Sequence, residues 1–338
     1  MSRAAPPAAA PHAMRTRMWR WRLALAAGVL AGLAFAAARD THARGAPAPA
    51  PASARNGEVQ FGVIGHSVKN GGDVQLRKAL AERGEAQAFV VVTGIKGAAE
   101  PCSDKVYTER RELLDGAASP VIATLAASDW SDCRNSAGRS AAIERLNRLR
   151  ELYFSDASSL GARKLAVTRQ SATAKFRSYA ENAHWVVGKV LYATVNLPAN
   201  NNHYRPEAGR NSEYEDRLVA NRFWLNRLFA LAKRDHLDAL VLFSEGDVKA
   251  QDQPTGLGAL LSRATDKQDG FAEPRRQIAQ LAQKFKGSVL LVDAAPAPSE
   301  PAISWRGRLG HVSVGSGAIE VKVTAGAEPP FTLKDTPR

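Results

Sequence analysis

From residue 58 onward, short apolar runs alternate with stretches of helical spacing. The segments "VQFGVIG" (59–65), "AFVVVTG" (88–94) and "PVIATLA" (120–126) are continuous enough to predict buried strands. Between them, "VQLRKALAERG" (74–84) and "YTERRELLDG" (107–116) repeat apolar positions at helical intervals and stop at glycine. Strand, helix, strand, helix, strand predicts a parallel sheet with crossover helices. An amphipathic helix follows over 139–154, with Ile143, Leu146, Leu149, Leu152 and Tyr153 on one face. The pattern then predicts a hairpin over 182–198 turning at Gly188-Lys189, a polar loop, and a long helix over 213–234. A strand and loop over 237–247, helix 275–285, strand 287–293 and an antiparallel tail from Ile303 to Val323 complete one α/β domain, residues 57–330. In parallel sheets, function gathers in loops at the carboxyl ends of strands. Those loops begin at Gly65, Gly94, Ala126, Asn196, Ser244 and Asp293.

The segment before this domain has a different pattern. Residues 1–22 are basic, with Arg15, Arg17, Arg20 and Arg22 leading into the apolar run "LALAAGVLAGLAFAAA" (23–38). A positive flank, an apolar run and small residues before Arg39 describe a signal peptide cut after Ala38, or an uncleaved membrane anchor. Both readings export the domain to the periplasm. Residues 39–56 form a Pro/Ala-rich linker, extended by its alternating prolines.

Charge changes the picture only after it is divided. The formal net charge is +13, but residues 1–56 hold eight Arg against Asp40. The rest carries 38 basic and 32 acidic residues, a surplus of +6. A body this mildly basic does not call for nucleic acid as its main partner. In an exported chain, the two cysteines, Cys102 and Cys133, are expected to form a disulfide.

Candidate chemistry concentrates around "VTGIKGAAEPCSD" (92–104), "LAASDWSDC" (125–133), "ERLNRLRELYF" (144–154), "SLG" (159–161), "ENAHW" (181–185) and "NNN" (200–202). In this order the set resembles a bacterial envelope branch of the calcineurin-like metallophosphoesterases. The resemblance implies a four-layer α/β/β/α sandwich and a cleft holding two divalent metal ions that activate water against phosphorus. It also marks where the ligands should stand. His66 occupies the place of the first loop's aspartate, and Gly94 that of the bridging aspartate. Ser128 replaces a ligand asparagine. The last loop, from Asp293 to Ala297, lacks the family's histidine.

Losses at all four loops imply no metal pair and no cofactor. The remnant cleft is expected to comprise His66, Gly94, Ser128, Asp129, Asn202, Glu245, Asp247 and Asp293. Asp129 is read as capping the turn that follows it, Asn200–Asn202 as a turn, His66 as filling the aspartate's space with local hydrogen bonds, and Glu245 and Asp247 as a solvated loop. Histidines 184, 203, 236 and 311 show no metal-ligand spacing. The resulting expectation is a pseudoenzyme: a binding or scaffold protein of the cell envelope, partnered by an envelope protein or an anionic ligand. Two alternatives stand beside it. One is a phosphoric-ester hydrolase with a mononuclear metal site rebuilt from His66, Asp129, Glu245 and Asp247. The other is a binder of anionic envelope polymers through the basic body.

Overall fold

Valine, isoleucine and aromatic residues fill the strands of two mixed sheets, because branched and ring side chains pack well on a pleated surface. The structure, a computed structural model, describes residues 58–66, 72–83, 87–252 and 268–334. The readings made for residues 1–22, 23–38 and 39–56 lie outside the described residues. No helix of the described residues is long and apolar enough to cross a membrane.

The first sheet has β1 (Glu58–Gly65), β2 (Phe89–Thr93) and β3 (Val121–Thr124) in parallel. It is extended by antiparallel β11 (Ala318–Thr324) and β12 (Phe331–Leu333), in the order β12-β11-β1-β2-β3. The second sheet takes β4 (Thr168–Arg169), β5 (Ala183–Val187), β6 (Val190–Thr194), β7 (Ala239–Phe243), β8 (Ser288–Asp293), β9 (Ser304–Arg306) and β10 (Leu309–Ser313). Its order is β4-β5-β6-β7-β8-β10-β9, with β6, β7, β8 and β10 parallel. The five helices among the described residues are α1 (Gly72–Glu82), α2 (Asp104–Asp115), α3 (Ala142–Tyr153), α4 (Ser212–Arg234) and α5 (Ala272–Lys284).

Alternation along each strand decides what each face meets. Phe61, Phe89 and Val91 of the first sheet share one buried cluster with Trp185, Tyr192 and Phe243 of the second. Ring centroids lie 5.4 Å apart for Phe61–Tyr192 and 5.2 Å apart for Phe89–Trp185, both edge-on, the geometry aromatic pairs prefer. The intervening residues, Val90 and Val92, pack instead with Tyr107, Leu114 and Leu149 from α2 and α3. On the second sheet, Leu240, Leu242 and Leu291 pack with Trp224, Leu228 and Ile278 from α4 and α5. The predicted face of α3 is shifted: Ala142, Leu146, Leu149 and Tyr153 are buried, while Ile143 is exposed.

The tail differs from its predicted antiparallel form. β9 and β10 do form a hairpin, but β10 runs parallel to β8, and β11 crosses to pair antiparallel with β1. The physical reason lies in the one-sided burial of β11, where Ile319, Val321 and Val323 face the core between the sheets. Its place between β1 and β12 buries that face against the second sheet and leaves the other face partly exposed.

Candidate functional site

β3 stops at Thr124, and the chain turns back on itself through Ala127–Asp129. The Asp129 carboxylate, fully buried, accepts N–H bonds from Ala126 (2.7 Å), Ile95 (3.0 Å) and Lys96 (3.0 Å). Asp129 therefore closes the turn behind it and grips the loop after β2, rather than capping the turn ahead. Gly94 makes this possible. Its φ of 91° lies in the region that disfavours side chains, and its N–H donates to the Thr124 carbonyl at 3.0 Å. That bend presents the Ile95 and Lys96 N–H groups to the carboxylate. Burial pushes the Asp129 pKa up to about 6, against the pull of the three N–H donors and Lys96.

Glu245 follows β7 and is buried, not solvated. Its Oε2 accepts from Ala127 N at 2.6 Å and from Ala199 N at 2.7 Å. Ala127 belongs to the loop after β3, in the first sheet. Ala199 belongs to the loop after β6, in the second. One carboxylate oxygen thus fastens the two sheets together at the mouth of the cleft. Burial raises the Glu245 pKa to about 7, again opposed by its backbone donors.

The asparagine run is a left-handed turn: φ is 54° at Asn201, 52° at Asn202 and 54° at His203. Asn202 is buried, and its Nδ2 donates to the Gly270 carbonyl at 2.9 Å. The turn is held by Arg217 of α4, which is completely buried. Arg217 donates to the carbonyls of Asn202 (2.8 Å) and Asn196 (3.1 Å) and to Glu213 Oε1 (2.7 Å). Its guanidinium lies 5.6 Å from the Trp130 ring centre. Glu213 also meets His203 Nδ1 at 2.9 Å. Burial alone would raise the Glu213 pKa, but Arg217 and His203 hold it down at about 2. Sequence reasoning missed this pair. The only signal was a Glu and an Arg four residues apart with the Arg on the apolar stripe of Ala220, Trp224 and Leu228.

His66 and Ser128 are not brought into a ligand set. His66 is buried, and its Nε2 has no hydrogen-bond partner among the described residues, in contrast to the local bonding expected of it. Burial lowers its pKa to about 4, so the ring is neutral at pH 7. Ser128 Oγ is likewise buried without a partner among the described residues. The loops carrying Gly94 and Asp129 are also tied covalently. Cys102 and Cys133 form a disulfide with their Cα atoms 5.9 Å apart, which is compatible with an exported protein.

Among the described residues, three histidine or carboxylate ligands come together at Asp247, Asp293 and His311, with ligand atoms within 4.8 Å of one another. His311 Nε2 lies 2.6 Å from Asp293 Oδ2 and 3.6 Å from Asp247 Oδ1. Asp293 is buried, and its other oxygen accepts from Ala295 N at 3.0 Å. Burial would lower the His311 pKa, but the hydrogen bond and charge of Asp293, with Asp247, turn it upward. His311 pairs in register with Leu291, whose side chain packs toward α4 and α5. By alternation, the group lies on the helix side of the second sheet, away from the core between the sheets. A pair of carboxylates and an imidazole is a donor set that suits zinc or manganese. The separations of 46 and 18 residues left no spacing motif to read.

No family model matches the chain, and no curated protein matches it. Among solved structures, it is similar to a hypothetical protein from Thermus thermophilus, at 11% identity and a TM-score of 0.36, covering 76% of each chain. What the fold and site define is a mixed α/β protein of two mixed sheets, with a polar, tightly bonded cleft at the carboxyl ends of its strands.

Proposed function

We propose that the chain is a calcineurin-like phosphoesterase relative, with the family's four-layer α/β/β/α sandwich, whose cleft has become a structural lock. Its role is then non-catalytic: an exported binding or scaffold protein of the cell envelope. The observation that carries this reading is the use made of Asp129. Both of its oxygens accept backbone N–H bonds from two loops, Oδ1 from Ile95 and Lys96, Oδ2 from Ala126 and Ile95. Three N–H groups, that of Ile95 shared between both oxygens, take up most of the roughly four acceptor positions of a carboxylate. Glu245 commits one oxygen to two further N–H groups. Gly94, in the bridging position, has no side chain to offer a metal, and a pair of ions needs that bridge. Metal analysis of the full chain purified without chelator tests it. The expected result is no two-metal occupancy; two equivalents of Mn, Fe or Zn would sink the reading.

A second reading is supported by Asp247, Asp293 and His311. It is a mononuclear hydrolase whose single ion sits on the helix side of the second sheet. It retains only Asp247 of the mononuclear set expected from sequence. One equivalent of metal, lost in His311→Ala together with phosphate-ester turnover, would favour it over the lock.

A further inference from the structure

The end of the molecule opposite the cleft carries a cavity of about 1120 Å³, as large as the biggest common small-molecule sites. It lies where β1, β6, β7 and β8 begin, and is walled by the ends of α4 and α5 and the segment after β11. Its apolar surface comes from Val59, Val187, Leu237, Phe285, Trp305 and Pro330. Trp305 is held by stacking on Phe331. Five cations line the same cavity: Lys189, Lys233, Lys284, Lys286 and Arg308. Two acids, Asp238 and Glu328, leave a surplus of three positive charges.

All five cations are exposed, and none forms an ion pair with a described acid. Lys233 and Lys284 sit in the last turns of α4 and α5, where they also complement the helix dipoles. Lys189, Lys286 and Arg308 lie on turns and have no such role. An apolar wall under a positive rim is complementary to one ligand chemistry. A free phosphate offers the walls nothing, and a neutral lipid leaves the rim unmatched.

We propose that this cavity binds an anionic amphiphile, a single acyl chain with a phosphate or carboxylate head. The chain lies against Phe285, Trp305 and Pro330, and the head is met by the lysines and Arg308. The site is separate from the cleft and stands whether or not the cleft is catalytic. The test places the full chain in zwitterionic nanodiscs and adds lysophosphatidylglycerol with a diazirine in its tail. Labelled peptides are then mapped by mass spectrometry. Label is expected on the peptides bearing Phe285, Trp305 and residues 323–330. It should fall about tenfold in K233E/K286E, since each reversed rim charge removes one attraction and adds a repulsion. Glycerol phosphate should not compete. The melting temperature of K233E/K286E, matched to wild type, shows that the variant folds; a second variant, Trp305→Ala, should lose label without charge reversal. Labelling confined to other peptides, equal labelling by the choline analogue, or labelling unchanged in both variants overturns the proposal.

Discussion

Glu245 places both of its bonds on Oε2, and Oε1 accepts none from the described residues, so Oε1 can carry a proton without loosening the lock. Its folded pKa of about 7 lies above the ordinary value of 4.5. The folded state therefore binds more protons between those values. This contribution to stability is complete below about 4.5 and is lost as pH rises through about 7. Glu245→Gln keeps an acceptor for Ala127 and Ala199 but cannot ionise. It is expected to match wild type at pH 5 and to exceed it at pH 8 by roughly 1–3 kcal/mol. Denaturant melts at the two pH values check this; parallel pH dependence in both proteins would refute it. A second residue tests the core between the sheets. The Tyr192 hydroxyl is buried with no partner among the described residues, a state that costs free energy. Tyr192→Phe removes the orphan while keeping the ring contacts with Phe61 and Phe89. A gain of about 1 kcal/mol is expected in thermal or chemical melts, and a loss would mean that the hydroxyl has a partner.

At the scale of elements, α4 holds the loop after β6 through one buried arginine, and a disulfide holds the loops after β2 and β3. Arg217→Met leaves the mostly buried Glu213 without its cation, so a loss of about 3 kcal/mol is expected. Glu213→Gln/Arg217→Met should recover part of it, and a double variant as unstable as the single would remove the ion pair from the explanation. The disulfide closes a separation of 31 residues, for which chain entropy gives a stabilisation of roughly 3–4 kcal/mol. Non-reducing mass spectrometry should show the Cys102 and Cys133 peptides joined, and two thiols alkylated before reduction would contradict the assignment. The long elements were legible because their apolar periods are strong: β1 to β3, the hairpin, α4 and α5 fall within a few residues of the sequence reading. β4 and β12, of two and three residues, leave no period to read. The direction of β10 depends on β8 beside it, which no local pattern encodes. Within the site, the sequence placed His66, Gly94 and Ser128 in the loops after β1, β2 and β3, where the structure has them. The bonding of Asp129 and Glu245 was not legible, because their partners are backbone N–H groups, which sequence does not distinguish. His311 was passed over for the related reason that its neighbours are set by sheet register.

Across the whole molecule the two ends of the sheets have different chemistry. The carboxyl ends of the strands are closed by buried carboxylates, an arginine and a disulfide, and the opposite end is open, apolar and positively rimmed. On the proposed reading, a cleft so fully bonded to its own backbone holds the two sheets in place, whereas a hydrolytic centre needs groups left free for metal and water. The most direct test is turnover of a generic phosphate diester and monoester by the full chain, with Mn²⁺ or Zn²⁺ supplied. Rates equal to those of the same metal in buffer are expected. Turnover that scales with protein and disappears in His311→Ala, with the melting temperature unchanged, would contradict the structural lock and make the chain a hydrolase with a rebuilt site.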